Sequence, residues 1–302
     1  MVSVLIPVYN QEVKALVFEL RRQCSGLNVP FEVICLDDGS KEEFKTVNRA
    51  LTGEANIIYE ELTVNLGRSG IRNELVKRAQ FPWLWFLDCD ADATVNPDLA
   101  KNFWAKKGEN TLISGGRIYQ KEKPSDRSLY LHWLWGSERE LLDPGLRMKN
   151  LVTSFLSNNF LLHKSILEKV GFDETMTGYG YEDTLFAAEL VKAGYKIQHI
   201  KNPVMHIGLE PADVFLKKIE ESLLNLLRLK EICKLKGLPF PVNSKLYQAY
   251  NLLNNSLLRF LLTPYLIKNT GSWRKELLND SPSLRTFDLY RLAFLLQRKA
   301  KA

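Results

Sequence analysis

LWFLDCDADA, residues 84–93, decides how the rest of the chain reads. An apolar run of strand length stops at three aspartates in alternating positions, Asp88, Asp90 and Asp92. One buried carboxylate without a partner is costly, and three together call for positive charge nearby. The run therefore reads as a strand that carries acids to one edge of a sheet.

It has company along the first two hundred residues. VSVLIPVY (2–9), FEVICLDD (31–38) and NIIYEEL (56–62) read as three earlier strands, and WLWFLD (83–88) as the fourth. Val13, Leu16, Val17 and Leu20 repeat at helical spacing after the first strand, and helices are expected over 41–51 and 69–79. Strands of this length joined by crossover helices predict a parallel sheet in a doubly wound α/β domain. Such sheets bind ligands beyond the carboxyl ends of their strands. Pro7, Tyr9 and Asn10 close the first strand, Asp37 and Asp38 the second, and Asp88 the fourth. Two acidic strand ends on one edge read as a site.

Downstream, the pattern predicts a helix near 97–107, a strand over 112–119, a charged loop over 120–127 and an aromatic helix over 128–135. A strand over 154–164 and a Gly-rich loop feeding a helix over 178–194 follow, and KIQHIKNPVMHIG (196–208) closes the α/β part. From Pro211 onward the signal is helical, with a break at GLPFP. The expected division is an α/β domain over 1–210 and a basic helical region over 211–302.

Hydrophobic residues make up 45% of the 302 and charged residues 25%, the balance of a globular protein. The four cysteines form no C-x-x-C pair, which excludes zinc-finger and disulfide-scaffold readings, and Cys35 in an apolar run fits a reduced thiol in a cytoplasmic protein. No basic region precedes the opening apolar run, so no secretory leader is expected. NLLNNSLLRFLLTPYLI is interrupted by Asn254, Asn255, Arg259 and Pro264, so no membrane span is expected either. Charge is uneven: residues 1–210 hold 25 Lys+Arg and 28 Asp+Glu, and residues 211–302 hold 16 and 7.

The acidic residues suggest chemistry. Asp88 and Asp90 suit a hard cation such as Mg²⁺ or Mn²⁺. A calcium EF-hand loop is excluded, because its sixth position is Ala93 rather than Gly and its twelfth is Leu99 rather than Glu. A solvated turn capping the next helix is the competing account, and Asp92 reads as such a helix-entry residue. Asp37-Asp38 also has a plain reading as a strand–turn boundary. Asn65-Leu66-Gly67-Arg68 and Arg72-Asn73 open a helix whose arginines suit phosphate oxygens, although Arg68 also reads as solvent-facing. Glu182 and Asp183, in GYGYED (178–183), fall in a first helical turn, where a carboxylate either complements the helix dipole or takes a proton from an attacking hydroxyl. His206 suits a metal shell, whereas His199 reads as structural, and Trp133 and Trp135 read as core more readily than as sugar platforms.

Together SVLIPVYN (3–10), LDDGS (36–40), NLGRSGIRN (65–73), FLDCDAD (86–92), GYGYED (178–183) and His206 resemble the GT-A fold glycosyltransferases of family 2. The resemblance covers residues 1 to about 208. It implies a metal-dependent, inverting enzyme that moves a sugar from a nucleotide-diphosphate donor, a UDP-sugar, to a saccharide or lipid-linked acceptor. It places Pro7, Tyr9 and Asn10 along the nucleotide, Asp38 or Asp37 toward the base, and Asn65, Gly67 and Arg72 near the nucleotide or its pyrophosphate. Asp88 maps toward the ribose, Asp90 onto the Mn²⁺ or Mg²⁺ ligand, Asp183 (with Glu182 beside it) onto the catalytic base, and His206 onto the histidine that completes the metal shell in some members. Ile71 stands where the family often has Ala, and Tyr181 where it often has Gly.

Three rivals belong to other classes. A sugar-nucleotide pyrophosphorylase needs a Gly-rich phosphate loop after the first strand, and YNQEV contains no glycine. A catalytically inactive carbohydrate- or nucleotide-binding protein of the same fold has no need of the carboxylates. Nucleic-acid binding is not expected, since 211–302 shows no recognised motif or basic–aromatic stripe. The basic excess there, with LLRFLLTPYLI, points instead to peripheral contact with the inner membrane face. Packing on the α/β domain or a homodimer interface is the simpler use of the same helices.

Overall fold

The computed structural model describes residues 1–254 and 256–299, apart from the side chains of residues 258 and 299. Among the described residues ten strands run in chain order: β1 (Val2–Val8), β2 (Phe31–Asp37), β3 (Ile57–Glu61), β4 (Trp83–Leu87), β5 (Ala91–Asp92), β6 (Thr111–Ser114), β7 (Arg117–Ile118), β8 (Asn159–His163), β9 (Lys196–His199) and β10 (Val204–His206). The α-helices are α1 (Lys14–Ser25), α2 (Glu42–Asn48), α3 (Gly67–Arg78), α4 (Leu99–Lys106), α5 (Tyr130–Trp135), α6 (Pro144–Lys149), α7 (Lys164–Lys169), α8 (Glu182–Lys192), α9 (Ala212–Leu235), α10 (Lys245–Asn254), α11 (Leu258–Leu277) and α12 (Leu284–Lys299).

The main sheet has the order β3-β2-β1-β4-β8-β6-β9. Its neighbours run parallel except at β8, which is antiparallel to both β4 and β6. This is the mostly parallel α/β sheet that the alternating pattern predicts. Alternation within each strand explains why helices cover both faces. Val4, Ile6, Val33, Cys35 and Trp85 enter one core with Leu16, Val17 and Leu20 of α1 and Phe103 of α4. Leu5, Ile34, Leu36, Leu84 and Phe86 enter the other with Ile71 and Leu75 of α3 and Phe186 of α8. A strand's side chains point alternately to the two faces, so a continuous apolar run means burial on both. Each fully buried Leu or Phe contributes about 1.5–3 kcal/mol.

The expected strand over 112–119 is two strands in different sheets. At Gly115-Gly116 the chain leaves the main sheet, and β7 joins a second, three-stranded sheet of order β5-β10-β7. A Cβ on Gly115 would collide with the Asn202 carbonyl and the Asn159 side chain, so only glycine allows the backbone past. The stretch 196–208 divides likewise, giving β9 to the large sheet and β10 to the small one. The strand expected over 154–164 starts only at Asn159. Asp92 is not a helix-entry residue: it lies in β5, its Oδ1 accepts from the backbone and hydroxyl of Thr94, and α4 starts later, at Leu99.

Two compact units result. The first holds Met1–Tyr119, Leu142–Gly178 and Glu182–Gly208, and so contains both sheets. The second holds Gln120–Leu141, Tyr179–Tyr181 and the chain from Leu209 onward. In the second, α9 buries Phe215, Leu216, Ile219, Leu223, Leu226 and Leu229 at helical spacing. Phe215 stacks on Phe287 of α12 at 6.0 Å and on His132 at 4.3 Å. Trp133 is buried and donates its Nε1–H to the Gln120 carbonyl, and Trp135 packs on Phe215, so both tryptophans belong to this core. No helix among the described residues is long and apolar enough to cross a membrane.

Candidate active site

The carboxyl ends of β1, β2 and β4 lie side by side, because β1 pairs with both of the others. At the end of β1, Tyr9 is 55% exposed, and the Asn10 amide donates to the Ser40 hydroxyl at 2.8 Å. Asn10 takes a left-handed backbone, with φ of 50°. The Lys41 amide donates to its side chain at 2.9 Å, tying the β1 end to the loop after β2.

Asp37 and Asp38 are both buried and fully engaged. Asp37 accepts from the Ser40 amide at 2.7 Å and from the Tyr59 hydroxyl at 3.3 Å. Asp38 accepts from the amides of Leu66 and Gly67 at 2.6 and 3.1 Å, while Asn65 donates to its carbonyl at 2.7 Å. These bonds hold the start of α3, whose first amides have no partner within the helix. Burial raises the Asp38 carboxyl above the usual range, and the two amides act against that rise.

At the end of β4 the charges are arranged differently. Asp88 Oδ1 meets Arg72 Nη2 at 3.1 Å, and Arg72 Nη1 lies 3.7 Å from Glu182 Oε1. Arg68 reaches the same Glu182 oxygen at 3.8 Å. Arg72 is 2% exposed and packs on the Phe172 ring, so it acts inside the protein as a bridge between two acids. Burial raises the Asp88 carboxyl, Arg72 opposes the rise and Asp90 adds to it.

Asp90 behaves the opposite way. Burial alone would push its carboxyl up, yet the contact with His206, followed by Arg117 and Arg68, holds it well below the usual range. His206 Nδ1 lies 3.5 Å from Asp90 Oδ1, brought there because β10 pairs antiparallel with β5, setting His206 opposite Ala91. A Cβ on Gly208 would collide with the Asp90 carboxylate, so glycine keeps that approach open. Asp88, Asp90, Arg117, Asn158 and His206 line a cavity of about 10 Å³, room for about one water or small ion.

Among the described residues no three His, Cys, Asp or Glu side chains gather as a metal cage. Asp90 and His206 nevertheless fit a cation, offering one oxygen and one nitrogen donor beside a polar cavity. A hard cation of the Mg²⁺ type binds one or two carboxylates and completes its shell with water and substrate phosphate oxygens. His199 takes no part: it is buried with Arg147 at 3.4 Å and the Leu151 carbonyl at 3.1 Å, and burial first, then Arg147, lowers its pKa to about 4.

Glu182 and Asp183 start α8. Glu182 is 5% exposed, and its Oε2 has no hydrogen-bond partner among the described residues. Asp183 accepts from the Thr184 amide at 2.6 Å. Burial, then the Glu182 charge, raises the Asp183 carboxyl to about 7, with the Thr184 amide and Arg72 pulling it back.

The structure thus joins Asp88, Asp90 and His206 at one cavity and links Asp88 through Arg72 to Glu182. Asp37, Asp38, Asn65 and Gly67 form a separate hydrogen-bonded group. Sequence reasoning missed Arg117, Asn158 and Gly208, and the one available signal was the glycine pair before Arg117, which ends β6.

Comparison with known proteins gives three findings. The family model for glycosyl transferase family 2 matches residues 3–171. Chondroitin synthase of Escherichia coli is 25% identical over 239 residues, covering 68% of this chain and 34% of that protein, so the chain spans about a third of the length of this curated relative. Among solved structures, the mannosyltransferase PcManGT from Pyrobaculum calidifontis, in complex with GDP-Man and Mn²⁺, aligns at a TM-score of 0.49 and 14% identity over 76% of this chain and 64% of that one. S. aureus TarS 1-349 in complex with UDP aligns at 0.47 and 16% identity over 99% and 91%.

Proposed function

Because the chain belongs to glycosyl transferase family 2, we propose that it transfers a sugar from a UDP-sugar to a hydroxyl of a saccharide or lipid-linked acceptor, with a divalent cation and with inversion at the anomeric carbon. One observation carries the reading: the charged chain Asp88–Arg72–Glu182 ties the acidic end of β4 to the helix start that bears Asp183. A donor-binding edge and a base are thereby held in one framework. The relative named chondroitin synthase supports a polysaccharide acceptor.

Asp90, with His206, would hold Mn²⁺ or Mg²⁺, and Asp88 would lie toward the ribose. A cation there would neutralise the charge that grows on the diphosphate. Arg117 and Arg68 would add positive field for phosphate oxygens. Tyr9, exposed at the end of β1, would lie along the nucleotide with Pro7 and Asn10. Asp37, Asp38, Asn65 and Gly67 would shape the nucleotide loop from behind.

Asp183 takes the acceptor hydroxyl's proton as its oxygen forms the new bond to C1. The C1–O bond to the diphosphate breaks on the opposite face, and its electron pair leaves with the nucleoside diphosphate. One displacement inverts the centre. A carboxyl raised to about 7 is better matched to this proton transfer than an ordinary aspartate.

The test is Asp183→Asn, assayed for transfer and for donor-induced thermal stabilisation with Mn²⁺. Transfer should fall about a thousandfold, with stabilisation by the donor kept. Wild-type kcat/KM should fall about tenfold per pH unit below about 7, where Asp183 is protonated, and level off above it. Joint loss of transfer and donor binding in Asp183→Asn would make the residue structural and sink the assignment.

A further inference from the structure

The start of α11 reverses the usual pattern of a surface helix, in which apolar residues face inward. Leu257 is 85% exposed, Phe260 and Leu261 are each 75% exposed, and Tyr265 is 61% exposed. At 3.6 residues per turn these four lie on one face. Leu266 and Leu277, on the opposite face, are buried at 7% and 0%. The helix is therefore seated correctly in its own unit and still presents a second apolar stripe outward. Lys268 and Lys275 continue the same outward face toward the C-terminal end and are exposed.

Along the chain the charge through the stripe has one sign as far as Lys275, after which Glu276 is exposed. Residues 241–275 include Lys245, Arg259, Lys268, Arg274 and Lys275 and not one Asp or Glu. Of the five, Arg274 pairs with a carboxylate, Glu220 at 3.6 Å. An apolar stripe of this size, rimmed by cations, marks an interaction surface.

We propose that the face of α11 carrying Leu257, Phe260, Leu261 and Tyr265, with its flanking lysines, docks on an anionic lipid bilayer surface. Apolar side chains enter the acyl boundary, Tyr265 sits at headgroup depth, and Lys268 and Lys275 reach the phosphates. A second copy fits this face poorly. A two-fold interface sets the same patch against itself and would bring the cations Lys268 and Lys275 of two copies together. A nucleic acid could stack on Phe260 and Tyr265 but offers nothing for Leu257 and Leu261. The docking surface goes beyond the transfer reaction, and its readout does not need activity.

The experiment is flotation of the full chain with phosphatidylcholine vesicles, plain or containing about one-third phosphatidylglycerol. Capture is expected on the anionic vesicles alone and should weaken as salt rises toward about 1 M. The Phe260→Ser/Leu261→Ser double variant should lose about a hundredfold in partition. Lys268→Glu/Lys275→Glu should lose about tenfold or more. Both double variants should keep the wild-type Tm and donor turnover, since they change exposed residues. Absent capture, equal capture on neutral vesicles, or capture unchanged in both variants would overturn the proposal. So would a concentration-dependent dimer by light scattering that Phe260→Ser/Leu261→Ser dissolves without any vesicle capture, or oligonucleotide binding in place of vesicle binding. A chain that floats as expected but transfers no sugar would count against the enzymatic reading alone.

Discussion

The ends of β2 and β4 look alike in sequence, an apolar run closed by two nearby aspartates, and they do opposite things. At β2 every carboxylate oxygen takes a donor: Asp37 from Ser40 and Tyr59, Asp38 from Leu66 and Gly67. At β4, Asp88 and Asp90 each engage one oxygen, with Arg72 and His206, and both line a cavity. What differs is the source of the partners. Backbone amides of the adjoining loop and helix start consume the first pair. Side chains from distant elements surround the second and leave room between them. An acidic strand end is a scaffold when its own neighbourhood satisfies it, and a candidate site when it waits for something else.

The largest expected effect tests the β4 end. Asp90→Asn should lower metal-dependent transfer about a thousandfold, read as nucleotide release across a Mn²⁺ titration. Its Tm should stay within about 2–4 °C of wild type, a shift of about 1 kcal/mol. Losing the His206 contact destabilises, but removing one of two neighbouring half-buried charges offsets that loss. A large Tm loss with transfer intact would make Asp90 a second Asp38.

The β2 end should show the reverse. Asp38→Ala leaves the amides of Leu66 and Gly67 without their acceptor, a loss of about 1–2 kcal/mol. Thermal melts should register a Tm lower by about 2–8 °C, with transfer per folded molecule falling less than tenfold. If Asp38→Ala instead abolishes donor binding at unchanged Tm, the contrast between the two strand ends collapses.

Much of this contrast lay beyond the sequence. The sheet was legible because strands buried on both faces read as unbroken apolar runs, and α1 and α3 fill the gaps between them. Asp90 and His206 could be paired only through resemblance, since their approach depends on β10 lying against β5, two short strands with no pattern of their own. Arg117 was hidden because the split at Gly115-Gly116 is a packing event, imposed by Asn159, Asn202 and Phe103. The engagement of Asp37 and Asp38 was equally invisible, because backbone amides carry no signature in a residue string. The outward stripe of α11 could be suspected from LLRFLLTPYLI, but periodicity cannot say which of two apolar faces is covered.

The smallest expected effect concerns the third acidic pair, Glu182-Asp183, which fits neither pattern cleanly. Tyr181, just before it, has φ of 69°, and Gly180 has φ of 91°. A non-glycine residue in the left-handed region costs about 1–2 kcal/mol. Asn225 donates to the Tyr179 and Gly180 carbonyls at 3.1 and 3.2 Å, which helps hold the loop in that conformation. Tyr181→Ala keeps the unfavourable φ and Tyr181→Gly relieves it, while both lose the same ring. Glycine loosens the unfolded chain by about 0.5–1 kcal/mol, so the Gly variant should match or exceed the Ala variant, by at most about 1.5 kcal/mol in chemical denaturation. That order inverts the ordinary one, in which alanine is the more stable. If the Gly variant is also the less active, the backbone strain serves to aim Asp183, and the third pair belongs with the β4 end. If it matches wild type in transfer, the loop is scaffold, and Asp183 owes its position to α8 and Arg72 alone.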